Sequence, residues 1–597
     1  MNDRRTYYHN RLPGLQNDLT ATQRKLTRIS LGRLVSFSVI IVMIFLYGRT
    51  GPVLFYSFMA ILACVFAFLV KRHVGVSEQK KHIQQQIAIH EREINILSYR
   101  FDQEDPGSEF MDIHHPYTYD LDLFKEGSLF QFINRTVTKR GREKLASWLT
   151  EPCSDIQVIL SRQAALKELA EKDIFRLDFR ATGELSNDNT NDLQEVTDWF
   201  NESPFLSTRR FYTIARVGFP LLSLAGIVLT LFNSDYYRVL ILLFLVQLAI
   251  TGIRIRFTNR VHGIVSKRLQ TFKKLHRLIA LIEKEEFRSA CMKNLQAGFC
   301  SSGISARVAI HQLSRLLSAF DNRLNVLAGL LLNGFMLWDV QCILRLEKWK
   351  SRYKDHFALW VDDLAETDAL ISLATFHFHF PEYCFPEFTG HEMVRAVALG
   401  HPLIPDDQRV CNDFSIPSEG MIVMITGANM AGKSTFLRSI GVNVVLAMTG
   451  APVCARHFAL KPAVLFTSMR TSDSLLHHES YFYAELKRIK TIVDELSLGR
   501  KMLIILDEIL KGTNSDDKHR GSLAVLGRIF SLGGTAIIAT HDLELAKAET
   551  LYGGHMINKC FEIEIKGAEV SFDYKLRGGI TQKMNASLLM RQMGIVE

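Results

Sequence analysis

An apolar run, Met421 to Ile425, gives way at Thr426 to Gly427-Ala428-Asn429-Met430-Ala431-Gly432-Lys433-Ser434-Thr435. The pattern G-x-x-x-x-G-K-[ST] behind an apolar run reads as strand, tight loop and helix start, which commits this part of the chain to an α/β sheet. In such a loop Gly427 and Gly432 let the backbone N–H groups of residues 427–435 close around phosphates. Lys433 reaches the β and γ oxygens, and the Ser434 hydroxyl ligates Mg²⁺. The segment predicts a nucleoside triphosphate site.

A glycine loop of this kind also arises by chance, so a second signal is needed, and two follow. Lys501 to Leu506 is an apolar run closed by Asp507 and Glu508, which suits a buried parallel strand delivering Asp507 toward Mg²⁺ and Glu508 toward an attacking water. Thr535 to Ala539 is another such run, ending in Thr540-His541-Asp542, which places the His541 imidazole where it can sense a γ-phosphate. Three strand ends carrying a phosphate loop, a carboxylate pair and a histidine point to Mg²⁺-dependent ATP hydrolysis, with Lys433, Glu508 and His541 as catalytic residues and Ser434 and Asp507 on the metal.

The flanking residues resemble the MutS family. Gly427-Ala-Asn-Met-Ala-Gly-Lys-Ser-Thr-Phe-Leu-Arg438 is similar to its G-P-N-M-G-G-K-S-T-x-x-R loop, Asp507 to Asn514 to its D-E-x-x-x-G-T segment, and Ala539-Thr-His-Asp-Leu-Glu-Leu545 to its A-T-H-x-x-E-L. Phe466 to Leu475 and Ser480-Tyr-Phe-Tyr-Ala-Glu485 are similar to two further elements of that family. Upstream, Leu121-Asp-Leu123, Gly127 to Phe130, Arg135-Thr136, Gly141-Arg142 and Trp148-Leu149 resemble the start of its core and lever region, and Glu366 to Ala374 the end of the lever. The resemblance implies an all-α core and lever, an ABC-type P-loop ATPase domain, a homodimer in which Ser480 completes the partner's ATP site, and DNA as a partner. It begins near residue 120 with no counterpart of the family's mismatch-reading domain before it, which leaves mismatch recognition open while mismatch-repair-like DNA binding is still implied. Arg409 stands where relatives often carry an aromatic beside adenine, which leaves base stacking to Arg409 or to another residue. The family's C-terminal helix-turn-helix is expected to be missing or minimal. A transporter ATPase fits less well, because Leu496-Ser-Leu-Gly499 lies too close to Asp507 for that class's signature.

Composition adds a membrane. With 47% hydrophobic residues and 22% charged, the chain is apolar for its charge, and the excess is local. Leu34–Tyr47 and Pro52–Val70 form one pair of nearly charge-free runs, Val217–Phe232 and Val239–Ile253 another. Buried core helices compete with membrane spans at these lengths. Flanking charge favours spans: Arg24, Lys25, Arg28, Arg33, Lys71, Arg72, Arg209, Arg210, Arg216, Arg254, Arg256 and Arg260 all lie on the outer flanks. The positive-inside rule then gives two hairpins in a cell inner membrane or cytoplasmic membrane, with both termini and the ATPase in the cytosol.

The resulting organisation is multidomain α and α/β: a cytosolic N-terminal segment 1–33, transmembrane hairpins 34–70 and 211–256, a helical linker 71–119, core and lever parts 120–210 and 257–384, and the ATPase domain 385–597. The second hairpin would interrupt the lever near the family's DNA-encircling clamp. Leu324–Trp338 reads as a buried lever helix, because Asn325 and Asn333 interrupt it and only Arg323 flanks it closely. Ser77–Phe101 reads as a helix leaving the bilayer or a short coiled coil. Basic residues of 254–277, among them Lys267, Arg268, Lys273 and Lys274, suit DNA phosphates and anionic lipid equally. The alternation at His377 and His379 suggests a strand or core edge, and His477 and His478 lie near the Ser480 loop. Nine cysteines without a C-x-x-C point to neither zinc nor a disulfide framework. The expected function is a membrane-anchored ATPase closing on DNA; the alternative is a membrane-embedded scaffold that no longer grips DNA.

Overall fold

The structure, a computed structural model, describes residues 2–47, 53–185, 198–300, 303–388, 390, 392–470, 481–511, 514–566 and 569–582. Two long helices open the chain, α1 (Asn2–Tyr47) and α2 (Val53–Ile96). They pack antiparallel along their length: the Tyr8 and His90 rings lie 5.3 Å apart and those of Phe37 and Phe66 5.8 Å apart. The apolar runs are thus the outer halves of two continuous helices. Ser77–Phe101 is no separate coiled coil; its apolar positions Ile83, Ile89 and Leu97 continue the helical period and are buried.

A second pair, α3 (Arg210–Phe232) and α4 (Tyr237–Ile253), is joined through a short turn capped by Asn233, whose side chain accepts from the Asp235 amide at 2.9 Å. By length and composition, α1 to α4 are long and apolar enough to cross a membrane. Much of their apolar surface is bare, with Phe45 at 88% and Phe232 at 87% exposure.

Two further helices complete the long-range frame, α5 (Val326–Met336) and the lever α6 (Trp338–His379). Contrary to the sequence expectation, α5 is not buried: it turns off α6 by 79° at Leu337 (φ 47°) and exposes Val326, Leu327 and Leu331. Its two asparagines interrupt nothing, because both cap backbone amides: Asn325 accepts from Ala328 and Asn333 from Asp339. His377 and His379 sit in the last turn of α6, so of the two roles expected for them the strand is excluded and the core edge holds, His377 being half-buried and His379 buried. His379 is buried beside Glu93, which pairs with Arg135 (2.9 Å) and Arg180, while Tyr8 meets the His379 ring at 3.0 Å. The basic segment is likewise partly internal: Arg268 and Lys274 are buried, and Lys274 donates to the Val137 carbonyl at 2.6 Å.

Among the described residues, the C-terminal part holds two sheets. The smaller, antiparallel, orders β1 (Val394–Leu399), β2 (Asn412–Ile416) and β4 (His457–Leu460) as β2-β1-β4. The larger orders β3 (Ile422–Gly427), β5 (Val464–Ser468), β6 (Met502–Asp507), β7 (Thr535–Thr540), β8 (Met556–Lys566) and β9 (Glu569–Gly578) as β5-β6-β7-β3-β8-β9, with only β9 antiparallel. Strands β3, β6 and β7 are buried on both faces, as near-continuous apolar runs in a parallel sheet must be.

Asp120, fully buried, fastens the helical part to this sheet. It accepts from the Thr467 hydroxyl (2.6 Å), the amides of Met469 and Arg470, and the Arg488 guanidinium (3.0 Å). Asp122 pairs with Arg470 and, at 3.4 Å, with Arg438.

Candidate functional site at the carboxyl ends of the sheet

Strand register brings the sequence signals together. Thr426 pairs with Thr540 and Asp507 with Ala539, so the phosphate loop, the carboxylate pair and His541 leave adjacent strands at the same edge. Ligands of parallel sheets bind at such carboxyl ends. Here a cavity of about 550 Å³ is lined by Ala428, Asn429, Met430, Gly432, Lys433, Ser434 and Thr435 on one side and by Asp507, Glu508 and His541 on another.

The loop's shape depends on its glycines. Gly427 and Gly432 take φ values of +155° and +101°, and a Cβ would come within 2.9 Å of the Phe561 carbonyl oxygen at the first and 3.0 Å of the Tyr574 ring at the second. Helix α7 (Lys433–Thr449) begins at Gly432 without a side-chain cap. Its first amides therefore need a partner, and an anion is a natural one.

Lys433 is buried, with its ammonium donating to the Gly427 and Ala428 carbonyls at 2.7 and 2.9 Å and lying 3.5 Å from His541 Nε2. Burial pushes it down to about 8, against the opposing charges of Asp507 and Glu508. Burial alone would push the Glu508 carboxyl up, but the touching Lys518 ammonium outweighs it and holds the group below its ordinary value. His541 is lowered, first by burial and then by Lys433, which favours the neutral imidazole. Glu508 has φ +67°, and its amide donates to the Ala539 carbonyl at 2.9 Å. A non-glycine residue held there is a local strain that the neighbouring strand maintains.

Two contributors, Lys518 and Tyr574, went unread in the sequence, and Glu485 was read only as the end of the Ser480–Glu485 element. Lys518, on the helix Ser515–Ser531, faces Glu508. Glu485 accepts from the Leu510 and Lys511 amides at 2.7 and 3.0 Å, so it holds the loop that follows the carboxylate pair. Tyr574 rims the cavity, its carbonyl accepting from Asn412 at 3.0 Å. Arg409 also lines the cavity, but its guanidinium is engaged by the Tyr383 hydroxyl (2.9 Å), the Ile404 carbonyl and Asp406. Among the described residues, that leaves Tyr574 as the exposed aromatic surface at this rim. Ser480, His477 and His478 lie outside the described residues.

The family profile for MutS domain V matches residues 423–592, and that for MutS domain III matches residues 112–374. The chain belongs to the MutS family. Among relatives, the DNA mismatch repair protein MutS of Chlorobium phaeobacteroides is 34% identical over 198 residues, 32% of this chain and 22% of that protein. MutS protein homolog 4 of Mus musculus is 31% identical over 241 residues, 38% of this chain and 24% of its own length. The MutS of Acetivibrio thermocellus is 34% identical over 224 residues, 36% and 25% respectively. The chain thus spans about a quarter of the length of the curated relatives it matches. The domain V match begins inside β3 and takes in the phosphate loop, Asp507, Glu508 and His541; the domain III match takes in α3 to α5 and most of the lever. The donor set fits a magnesium nucleotide: Ser434 and Asp507 offer the hard oxygens Mg²⁺ prefers, beside a glycine cradle that any Cβ would fill.

Proposed function

We propose that this MutS-family protein is a multi-pass, membrane-anchored ATPase that binds and hydrolyses Mg²⁺-ATP in its cytosolic domain and uses it to close a dimer on DNA. The observation that carries the catalytic reading is the meeting of Lys433, Asp507, Glu508 and His541 around one cavity at the sheet's carboxyl edge. In this reading the amides of residues 427–433 and the Lys433 ammonium offset phosphate charge. Ser434 and Asp507 hold the metal, which supplies charge neutralisation on the phosphates. Glu508 orients and deprotonates the water, and His541 donates toward the terminal phosphate.

The membrane reading rests on four helices of sufficient length and apolarity, on their bare apolar faces, and on the arginines and lysines at their outer flanks. Exposed apolar surface on this scale is costly in water and costs nothing among acyl chains. DNA as a partner rests on kinship with proteins named for DNA mismatch repair.

A second reading, a membrane scaffold without DNA, is favoured by one observation. The α3–α4 hairpin lies inside the domain III match, and its exposed surface is apolar where a DNA-holding element would need cations. Turnover of the detergent-solubilised protein, with and without duplex, mismatched and branched DNA across a salt series, separates the two, with Glu508→Gln as background. Stimulation that falls with salt supports the DNA-closing ATPase. An unchanged rate on every DNA, with basal turnover present, supports the scaffold, and no turnover above the Glu508→Gln background refutes both.

A further inference from the structure

The chain leaves its helical body at Arg323 and returns at Asp339, and those two residues are clasped together. The Arg323 guanidinium meets the Asp339 carboxylate at 3.0–3.2 Å, with both side chains largely buried. Everything between them is an excursion built around α5. Its eleven residues span about 16 Å, half of a hydrocarbon core of about 30 Å. It therefore cannot cross a membrane alone, and the clasp brings the chain back to where it left.

The surface of the excursion is apolar. Leu324, Val326 and Leu327 are 67%, 82% and 73% exposed, and Asn325 and Asn333 spend their carbonyl oxygens on the backbone amides of Ala328 and, at the clasp, Asp339. The far half of α5 packs on the α3–α4 pair, where Gly334 lies flat against the Phe244 ring and Phe335 meets it edge-on at 5.0 Å. The bare face is thus continuous with the bare faces of helices assigned to the bilayer. Extending the span into α6 is excluded, because Val340, Ile343 and Leu344 are buried in the protein.

Beside the neck of the excursion lies a groove of about 420 Å³ between the helix Ala306–Phe320 and α6, with Trp349 and Tyr353 as its floor. Arg315, Arg345, Lys348 and Arg352 line it, and among the described residues no carboxylate does. The Trp338 indole donates to the Ala319 carbonyl in its wall at 3.0 Å, which ties groove to neck. Arg345 lies about 10 Å along α6 from Trp338, within an arginine side chain's reach of a headgroup layer about 5–7 Å thick.

We propose that residues 324–337 form a re-entrant membrane element whose tip sits among acyl chains while the cationic groove at its neck takes the phosphate of an acidic phospholipid. The inference rests on the membrane reading of α3 and α4, and the test keeps the two apart. Single nitroxide labels at Leu327, Leu331 and, in α4, Leu242 would be read in nanodiscs containing phosphatidylglycerol, comparing collision with oxygen and with a water-soluble nickel chelate. Oxygen-dominated collision at Leu327 and Leu331, as at Leu242, is the expected result. Chelate-dominated collision at Leu327 and Leu331 with a lipid profile at Leu242 overturns the re-entrant element alone; a water profile at all three overturns the membrane reading itself. For the groove, protein exchanged into mixed phosphatidylcholine and phosphatidylglycerol should retain the acidic lipid at least about threefold more than the variant R315Q/R345Q/K348Q. Equal retention overturns the groove assignment, as does a variant that loses DNA-stimulated turnover while keeping its acidic lipid.

Discussion

Raising the pH from about 7 to about 9 should weaken ATP binding about tenfold, and Lys433 is the reason. In the free site its ammonium sits among loop carbonyls, buried, and protonates at about 8. A triphosphate would bring several negative charges against it, so the bound form keeps the proton across this window. Binding therefore takes up a proton from any molecule that has lost it. The sign follows: affinity is full below about 8 and declines above it. With a free-site value of about 8, the protonated fraction falls from about nine-tenths at pH 7 to about one-tenth at pH 9, a loss of about 1.4 kcal/mol. The assay is equilibrium titration of a fluorescent ATP analogue with Mg²⁺ at fixed ionic strength in detergent, on the parent chain and on Lys433→Arg. Arginine stays charged throughout, so that variant should bind with a flat pH profile whatever its absolute affinity. A parent profile that is flat between pH 7 and 9, or an arginine variant that declines as steeply, would refute the reasoning.

Glu508→Gln should keep nucleotide affinity and slow hydrolysis by about 10²- to 10⁴-fold, the usual worth of a positioned base; single-turnover hydrolysis checks it, and an unchanged rate removes Glu508 from the mechanism. Glu93→Ala strands the Arg135 and Arg180 guanidiniums, each only 2% exposed, and should cost about 3–5 kcal/mol, read as a lower unfolding midpoint and faster tryptic release of the α1–α2 pair. Glu93→Gln adds a pH test: burial raises this carboxyl, but Arg135, Arg180 and His379 outweigh it and hold it well below the ordinary range. Its stabilisation is complete above the unfolded-state value of about 4.3 and is lost as pH falls through the lowered folded value, so parent and variant should converge only in strong acid. Gly432→Ala places a Cβ at φ +101° against Tyr574, a strain of about 1–3 kcal/mol, and should weaken analogue binding while leaving tryptic stability of the lever unchanged.

What could be read from the sequence was what short-range spacing fixes. A phosphate loop, a carboxylate pair and a histidine each follow an apolar run, and a parallel sheet has one carboxyl edge, so their meeting needed only the strand order. Lys518 and Tyr574 escaped because no spacing rule ties them to the loop: one arrives from the helix after Glu508, the other from the strand beyond β8. The Glu93 cluster was less accessible still, since its members are up to 286 residues apart and each alone looks like a solvated charge. For His377 and His379 the core edge was legible, but the strand was not excluded, because alternation with phenylalanine mimics a strand, whereas the periodicity of all 42 residues of α6 is helical. The misreading of α5 has a different cause. Apolar composition says that water is absent from a surface, not whether protein or lipid replaces it, and only the packed structure showed how little protein covers Val326 and Leu327.

The two helical hairpins reach the lever at different heights, and the lengths of their stems bear on whether one membrane can hold both. The α1–α2 pair is rooted at the C-terminal end of α6, where Tyr8 and Glu93 meet His379. It then runs beside the lever: Arg277 pairs with Glu78 at 2.7 Å, and the same helix carries Phe272 onto Phe357 of α6. From Tyr8 to Leu34, where the charge-free run begins, α1 climbs about 39 Å. The second pair is rooted higher, where Glu347 accepts from the amides of residues 205–207 just before α3, about 48 Å along α6 from His379. The charge-free run of α1 thus begins within about 10 Å of the level at which the second pair is rooted, because the polar first half of α1 is long enough to make up the difference. That gives the polar length of α1 a function: it is the stem that brings the first hairpin to the height at which the second already stands. Shortening both stem helices by two turns should draw the hairpins out of level by about 11 Å, and the result to look for is loss of a lipid-like collision profile at Leu34 while that at Leu242 is kept. A lipid profile retained at both positions would mean that the stem does not set the height of the first hairpin.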